Sequence, residues 1–304
     1  MTLTRLTEIL KEQFAEISAA LFNDTLNIEY LENTDRIFGE ASSMFGANII
    51  RYSESNFEYF YIYQKYLLSK LDIINLRVLN QEIPKLDTKQ DILSLAFIRQ
   101  ADNDIYTIPS VPIFFELNFV ANLFVFFHEA GHVNQLISAD KASKETNHFS
   151  EFNSDYYAFS KILNYYHALR KNNSANYLKR VTPFGSEQHF IRCIIVTSFT
   201  VVYFSCLADT EASETETHPS IRQRFCNLIY QMQIQLEANF SYLFTTDKLS
   251  DFLVDIFHTL DFIETNLFEK DELDFSNILH HCLSCFEEVK EAMKNSGKFD
   301  QFNT

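Results

Sequence analysis

A chain of 304 residues with 46% hydrophobic content is long enough to bury a large core, and we expect a single domain over residues 1–304. The net charge of −16 argues against nucleic acid and anionic membranes as partners, because both require a basic surface. Only five glycines and five prolines occur, so turns are few and helices should dominate. The predicted fold class is mainly α (α+β), with a helical core and a small edge sheet.

The first 104 residues are predicted to form a helical N-terminal cap region. Residues 1–22 carry Glu8, Glu12 and Glu16 at four-residue spacing with apolar residues opposite, which predicts an amphipathic helix and no signal peptide. Two strand-like runs, residues 47–52 and 57–63, predict a hairpin. Residues 105–115, which contain two prolines, predict an extended edge segment before the next helix.

The most informative stretch of the chain is an HExxH motif, His128-Glu129-Ala130-Gly131-His132. Glu129 is the one charged residue between positions 117 and 137, which predicts a buried helix. Two imidazoles four residues apart share a helical face, and this spacing suits one Zn²⁺. Glu129 lies about 100° around the helix, close enough to reach a metal-bound water without binding the metal. The alternative is a buried histidine pair with protein partners.

A third metal ligand is expected, because catalytic zinc takes three protein ligands and leaves one position for water. Glu151 and Asp155 lie one turn apart on the next predicted helix, in the pattern ExxxD. We assign Glu151 to the metal and Asp155 to orienting a ligating imidazole. The polar residues 140–147 are predicted to form a turn that brings this helix back antiparallel to the first. A solvated helix edge is the alternative for the two carboxylates.

HExxH followed by a helix with ExxxD resembles the gluzincin zinc peptidases. Thr217-His218-Pro219-Ser220, with Arg224 after it, is similar to a segment of their HtpX and CAAX-prenyl-protease branch. This resemblance implies that His218 stabilises the oxyanion of the tetrahedral intermediate and that Arg224 supports the site. Thr217 or His218 is predicted to cap a helix with Pro219 at its first position. An ordinary capped helix with a surface histidine is the alternative.

Together these features predict a zinc-dependent endopeptidase with a zincin-like core and one Zn²⁺, acting on a protein or peptide substrate. Glu129 takes a proton from the zinc-activated water and delivers it to the leaving amine. Zinc and His218 stabilise the oxyanion, with Tyr156 or Tyr157 as substitute donors. In size, solubility and zinc motif the chain is also similar to the Lit-type phage-exclusion peptidases, which implies a host-directed bacterial protease. We expect restricted access or a regulatory partner to control its activity.

Two rival functions stay open: a non-catalytic interaction or sensor protein with a structural zinc site, and a membrane-bound peptidase. The longest uncharged run, residues 193–208, falls short of the roughly twenty residues that cross a bilayer. It predicts a buried helix within a catalytic core over residues 105–235, followed by C-terminal helices over 236–304. Five scattered cysteines fit reduced thiols and a cytoplasmic location. Cys282 and Cys285, beside two histidines, form either a minor metal site or part of a helix core.

Overall fold

Helices dominate the part of the chain that the structure describes, and one small sheet lies near the N-terminus. The structure is a computed structural model. The predicted fold class, mainly α with a small edge sheet before the HExxH helix, is confirmed. The described residues are 3–22, 25–32, 39–44, 47–57, 60, 112–136, 144–171, 187–208, 218–240 and 253–254.

Helix α1 spans Leu3–Phe22, as its amphipathic pattern predicts. Its apolar face is buried, with Leu6, Leu10 and Phe14 fully inaccessible to solvent. The ring of Phe14 stacks on Phe126 of the HExxH helix, with 4.4 Å between centroids. Burial of these side chains stabilises the packing of α1 against the rest of the molecule. Each large apolar side chain that is buried contributes about 1.5–3 kcal/mol to the free energy of folding.

The sheet has three described strands: β1 (Leu26–Leu31), β2 (Gly39–Met44) and β3 (Ala47–Ser53). The strand order is β1-β3-β2, with β1 parallel and β2 antiparallel to the central strand β3. Arg51 of β3 is paired in register with Glu29 and Glu40 and makes ion pairs with both on the outer face. Alternate residues of β3 therefore point inward, and Ile50 and Tyr52 are completely buried.

Helix α2 spans Pro112–Leu136 and carries the HExxH motif. Between positions 117 and 133, only His128 and His132 escape full burial. The helix packs against α1, β2, β3 and the next two helices, α3 (Lys144–Lys171) and α4 (Glu187–Ala208). The last described long helix, α5 (Ile221–Phe240), packs on α3 and α4. A helix in this central position needs apolar residues on most of its faces, as the sequence of α2 provides.

Several predicted boundaries are wrong. Residues 112–115 begin α2 and are not extended, and residues 144–147 belong to the first turn of α3. Phe57 and Phe60 are helical, so the predicted second strand of the hairpin does not form there, and β3 pairs with β1 and β2 instead. Of the predicted C-terminal helices over 236–304, the structure describes residues 236–240, which end α5, and residues 253–254. Residues 105–111, Cys282 and Cys285 lie outside the described residues.

The apolar helix near position 200 is confirmed as α4, whose residues from Ile194 to Tyr203 are buried among the other helices. Among the described residues, no helix is both long enough and apolar enough to cross a membrane.

Candidate active site

The site lies where α2 and α3 cross. His132 contacts Ser150 and His128 contacts Asp155, so the two helices run antiparallel, as predicted. Gly131 permits their close approach, because a Cβ there would stand 3.0 Å from the Cα of Ser154. The glycine within HExxH therefore has a packing role, and a larger residue would force α3 and its carboxylates away from the histidines.

Three predicted metal ligands, His128, His132 and Glu151, come together at this crossing, with ligand atoms all within 4.8 Å of one another. The two Nε2 atoms are 3.0 Å apart. Glu151 places Oε2 3.4 Å from Nε2 of His128 and Oε1 3.2 Å from Nε2 of His132. Donors arranged tetrahedrally around zinc stand about 3.4 Å apart, given metal–ligand bonds near 2.0–2.2 Å. The donor set therefore fits one zinc ion with little rearrangement.

His128 is backed by a carboxylate and a guanidinium. Its Nδ1 lies 2.9 Å from Oδ1 of Asp155. This distance is that of an ion pair, although the two groups are not oriented as in a regular hydrogen bond. Arg224 donates to both carboxylate oxygens of the completely buried Asp155, at 3.0 and 2.6 Å. Burial alone would raise the pKa of Asp155, but Arg224 and His128 outweigh it and hold that pKa below its ordinary value. Asp155 therefore stays charged and fixes the ring of His128.

The histidines and carboxylates of the site shift one another's pKa values. Burial acts to lower the pKa of His128, but Asp155 and Glu151 raise it to about 10. Burial would raise the pKa of Glu151, and the two histidines hold it well below its ordinary value. The two carboxylates thus favour a positive charge at His128, and a metal ion bound by this imidazole competes with a proton.

His132 has a partner that the sequence analysis missed. Its Nδ1 lies 3.2 Å from Oγ of Ser150, and that hydroxyl donates to Oε1 of Gln135. The hydroxyl thus accepts from Nδ1, which leaves the lone pair of Nε2 facing the other ligands. Gln135 in turn donates to the carbonyl of Ser150 and to Ser154, both at 3.2 Å. The position of Ser150 directly before Glu151 was the available sequence clue.

We expect Ser150→Ala to weaken zinc binding by about 10- to 100-fold, because partners that orient a ligating imidazole typically contribute that much. Competition with a chromophoric chelator measures the affinity. Ser160→Ala is the matched control, since its buried hydroxyl on the same helix makes no hydrogen bond among the described residues. Equal affinities in the two variants would contradict the role given to Ser150.

Glu129 lies under the edge strand β2. It is 7% exposed, and its carboxylate accepts a hydrogen bond from the backbone N–H of Ala41. A Cβ on Gly39 would stand 2.8 Å from Cγ of Glu129, so only glycine fits there without displacing that side chain. Burial raises the pKa of Glu129, although the two histidines act in the opposite direction. No motif in β2 marked Gly39 or Ala41 as part of the site.

His218 and Arg224 reach the site from the start of α5. Nε2 of His218 lies 3.7 Å from Oε1 of Glu151, and the side chain is 45% exposed. The predicted cap is wrong: Ser220 caps α5, accepting from the N–H of Gln223 at 3.3 Å while Gln223 accepts from the N–H of Ser220 at 2.7 Å. This reciprocal pair satisfies two helix-end donors, so Pro219 precedes the cap and does not begin the helix.

The hydroxyls of the two tyrosines predicted as substitute donors have partners on other helices. Tyr156 accepts from Nε2 of Gln235 at 2.7 Å on α5. Tyr157 is hydrogen-bonded to Asn134, and burial raises its pKa. His218 is the predicted oxyanion donor for which the structure gives a contact with a predicted metal ligand.

The family model of peptidase U49 matches residues 50–244, which is more than half of the chain and includes every residue from His128 to Arg224. The chain belongs to the peptidase U49 family. It is therefore a peptidase, and peptidase U49 is the Lit-type family to which size and motif pointed. No curated protein and no solved structure is significantly similar to this U49 peptidase.

Proposed function

We propose that this U49 peptidase is a zinc-dependent endopeptidase that hydrolyses peptide bonds of a protein substrate. One observation carries the proposal: His128, His132 and Glu151 present ligand atoms within 4.8 Å, on helices that also bring Glu129 beside them. Two imidazoles and one carboxylate form a donor set typical of hydrolytic zinc sites. A bound zinc ion would supply Lewis acidity, which polarises a carbonyl and lowers the pKa of water to about 7.

Glu129 is the proposed general base. Its side chain leaves α2 beside the histidines and is not part of the ligand cluster among the described residues. Burial moves its pKa upward, toward the range in which a carboxylate accepts a proton and later releases it. It takes the proton of the attacking water and delivers it to the leaving amine. The N–H of Ala41 holds the carboxylate in place during both transfers.

His218 is the proposed donor to the oxyanion. Its imidazole is almost half exposed and lies at the edge of the ligand cluster, where substrate can approach. The capping pair of Ser220 and Gln223 fixes the start of α5, so the preceding histidine is held near Glu151. A donor held in this way stabilises developing negative charge without reorganisation. Arg224 has a different role, because its buried guanidinium is committed to Asp155.

Strand β2 supports action on an extended polypeptide. It is an edge strand in the described sheet, and its residues Gly39 and Ala41 lie against Glu129. An unpaired strand edge holds an extended chain by main-chain hydrogen bonds, which fits cleavage within a protein. The resemblance to Lit-type enzymes leads us to propose a host-directed role in phage exclusion.

The rival function is a non-catalytic sensor with a structural zinc site. A structural site needs a fourth protein ligand, and His218, whose Nε2 lies 3.7 Å from Oε1 of Glu151, is a described candidate for that position. The peptidase family match favours catalysis over this rival.

The proposal can be tested without knowledge of the substrate, by comparing the N-termini of all proteins in cells that express wild type or an inactive variant. Wild-type protein and Glu129→Gln are expressed at equal levels, and new N-termini are identified by mass spectrometry. We expect a small set of cleavage sites with wild type alone. Identical N-termini in both would favour the sensor.

A further inference from the structure

A chain of buried hydrogen bonds ties the N-terminal sheet to the HExxH helix. Tyr52 of β3 donates to Oδ1 of Asn122 at 2.6 Å. Asn122 donates to Oδ1 of Asn118 at 2.5 Å and to its carbonyl at 2.8 Å. Asn118 donates to the carbonyl of Phe57. We call Tyr52, Asn122 and Asn118 the sheet clamp, and all three side chains are completely buried.

The sheet clamp acts on the face of α2 that carries Glu129. Asn122 follows Asn118 by four residues, and Glu129 follows Asn122 by seven. These spacings place all three side chains on one side of the helix. A buried phenol needs a hydrogen-bond partner, and phenylalanine would fill the same space without that requirement. Burial raises the pKa of Tyr52 well above its ordinary value, which keeps the hydroxyl a donor.

Tyr52 is also the residue of β3 that stands directly opposite Gly39 of β2. Gly39 in turn contacts Glu129, and Ala41, two residues on, donates its N–H to the same carboxylate. Strand β2 is therefore held over Glu129 by its pairing with β3 as well as by its own packing on α2. The hydroxyl of Tyr52 contributes the hydrogen bond that joins β3 to Asn122 of α2.

We propose that Tyr52, held by Asn122 and Asn118, is a positioning residue that fixes the backbone of β2 against Glu129. The inference rests on the proposed role of Glu129 as general base. No hydrogen bond joins the clamp to Glu129 or to the predicted ligands among the described residues, and we infer that its effect reaches Glu129 through Gly39 and Ala41. A displacement of about 1 Å in such a contact lowers a catalytic rate by up to about 100-fold.

The test compares Tyr52→Phe with wild type in the full-length, zinc-loaded protein. Phenylalanine keeps the ring contact with Phe14, at 5.2 Å between centroids, and removes only the hydroxyl. We expect kcat to fall about 10- to 100-fold at temperatures well below unfolding, with zinc affinity unchanged. The substrate is a synthetic peptide spanning the first cleavage site found by comparison of N-termini. A merely structural hydroxyl would lower the unfolding temperature and leave kcat as it was.

Tyr165→Phe is the matched control, because its hydroxyl joins α3 to Gln13 of α1 away from Glu129. It is expected to lower stability alone. Gly39→Ala disturbs the same contact from the other side, since the new Cβ overlaps Glu129, and should lower kcat while zinc stays bound.

Hydrogen exchange of residues 39–44 provides a readout that needs no substrate. We expect faster exchange in Tyr52→Phe and wild-type exchange in Tyr165→Phe. Unchanged exchange, or unchanged kcat, in Tyr52→Phe would overturn the inference. If wild type and Glu129→Gln give the same N-termini, the proposed function fails instead, and the exchange measurement alone decides whether Tyr52 fixes β2.

Discussion

The Glu129→Gln variant is expected to bind zinc as tightly as wild type and to cleave its substrate about 10²- to 10⁴-fold more slowly. Glutamine has the shape of glutamate, and its amide oxygen still accepts from the N–H of Ala41. It cannot take a proton from water, and a positioned general base contributes a rate factor of this size. Because Glu129 does not belong to the ligand cluster, loss of its charge should not release the metal.

Parallel measurements of zinc content and initial cleavage rate distinguish chemistry from metal binding in this variant. Glu29→Gln is the matched control, since this carboxylate lies on the outer face of β1 and pairs with Arg51. It should retain both zinc and activity. Full activity in Glu129→Gln would disprove the general-base role, and loss of zinc would make Glu129 a ligand.

His218→Ala is expected to lower kcat about 10²- to 10³-fold with zinc affinity unchanged, because an oxyanion donor acts mainly in the transition state. The exposed position of the imidazole means that its removal leaves little unfilled volume. Its ion-pair distance of 3.7 Å to Glu151 is also too long for a strong hydrogen bond to that ligand. Stability should therefore change little.

The His218→Ala variant also distinguishes the proposed peptidase from a sensor with a structural zinc site. Zinc affinity is measured by chelator competition, and Arg222→Ala, an exposed change in the first turn of α5, serves as control. A large loss of zinc affinity in His218→Ala would make His218 a fourth ligand. That result would favour the sensor and would contradict the oxyanion role.

The two helices that carry the predicted metal ligands could be predicted from the sequence, because the spacing of ligands along a helix depends only on neighbouring residues. His128 and His132, four residues apart, share one face of an α-helix, and the same spacing places Glu151 and Asp155 on one face of the next helix. The apolar run around HExxH predicts a buried helix, and α2 is buried from residue 117 to 133 except at His128 and His132, which are half-buried. Antiparallel packing then follows from the short connection between α2 and α3.

The part of the site contributed by β2 could not be predicted in this way. Gly39–Met44 has neither the alternation nor the β-branched residues of a typical strand, and its place depends on pairing with β3. The predicted strand at Phe57 fails for a similar reason, because Asn118, far away in sequence, binds the carbonyl of Phe57 in a helical turn. Tertiary contacts therefore determine the secondary structure of both segments.

The start of α5 differs from the prediction, although the residues that determine it are local. Pro219 favours the first position of a helix, and this preference predicts Thr217 or His218 as the cap. Ser220 and Gln223 form the reciprocal S-x-x-Q cap, and that pair places Ile221 first in the helix.

Removal and restoration of zinc tests the central claim most directly. The rate of cleavage of the identified peptide is measured after dialysis against a chelator, and again after addition of zinc in equivalents of protein. We predict no cleavage without metal and full recovery at one equivalent for wild type, with no recovery for Glu129→Gln. Cleavage by the metal-free protein, or recovery in Glu129→Gln, would contradict a peptidase that depends on one zinc ion and Glu129.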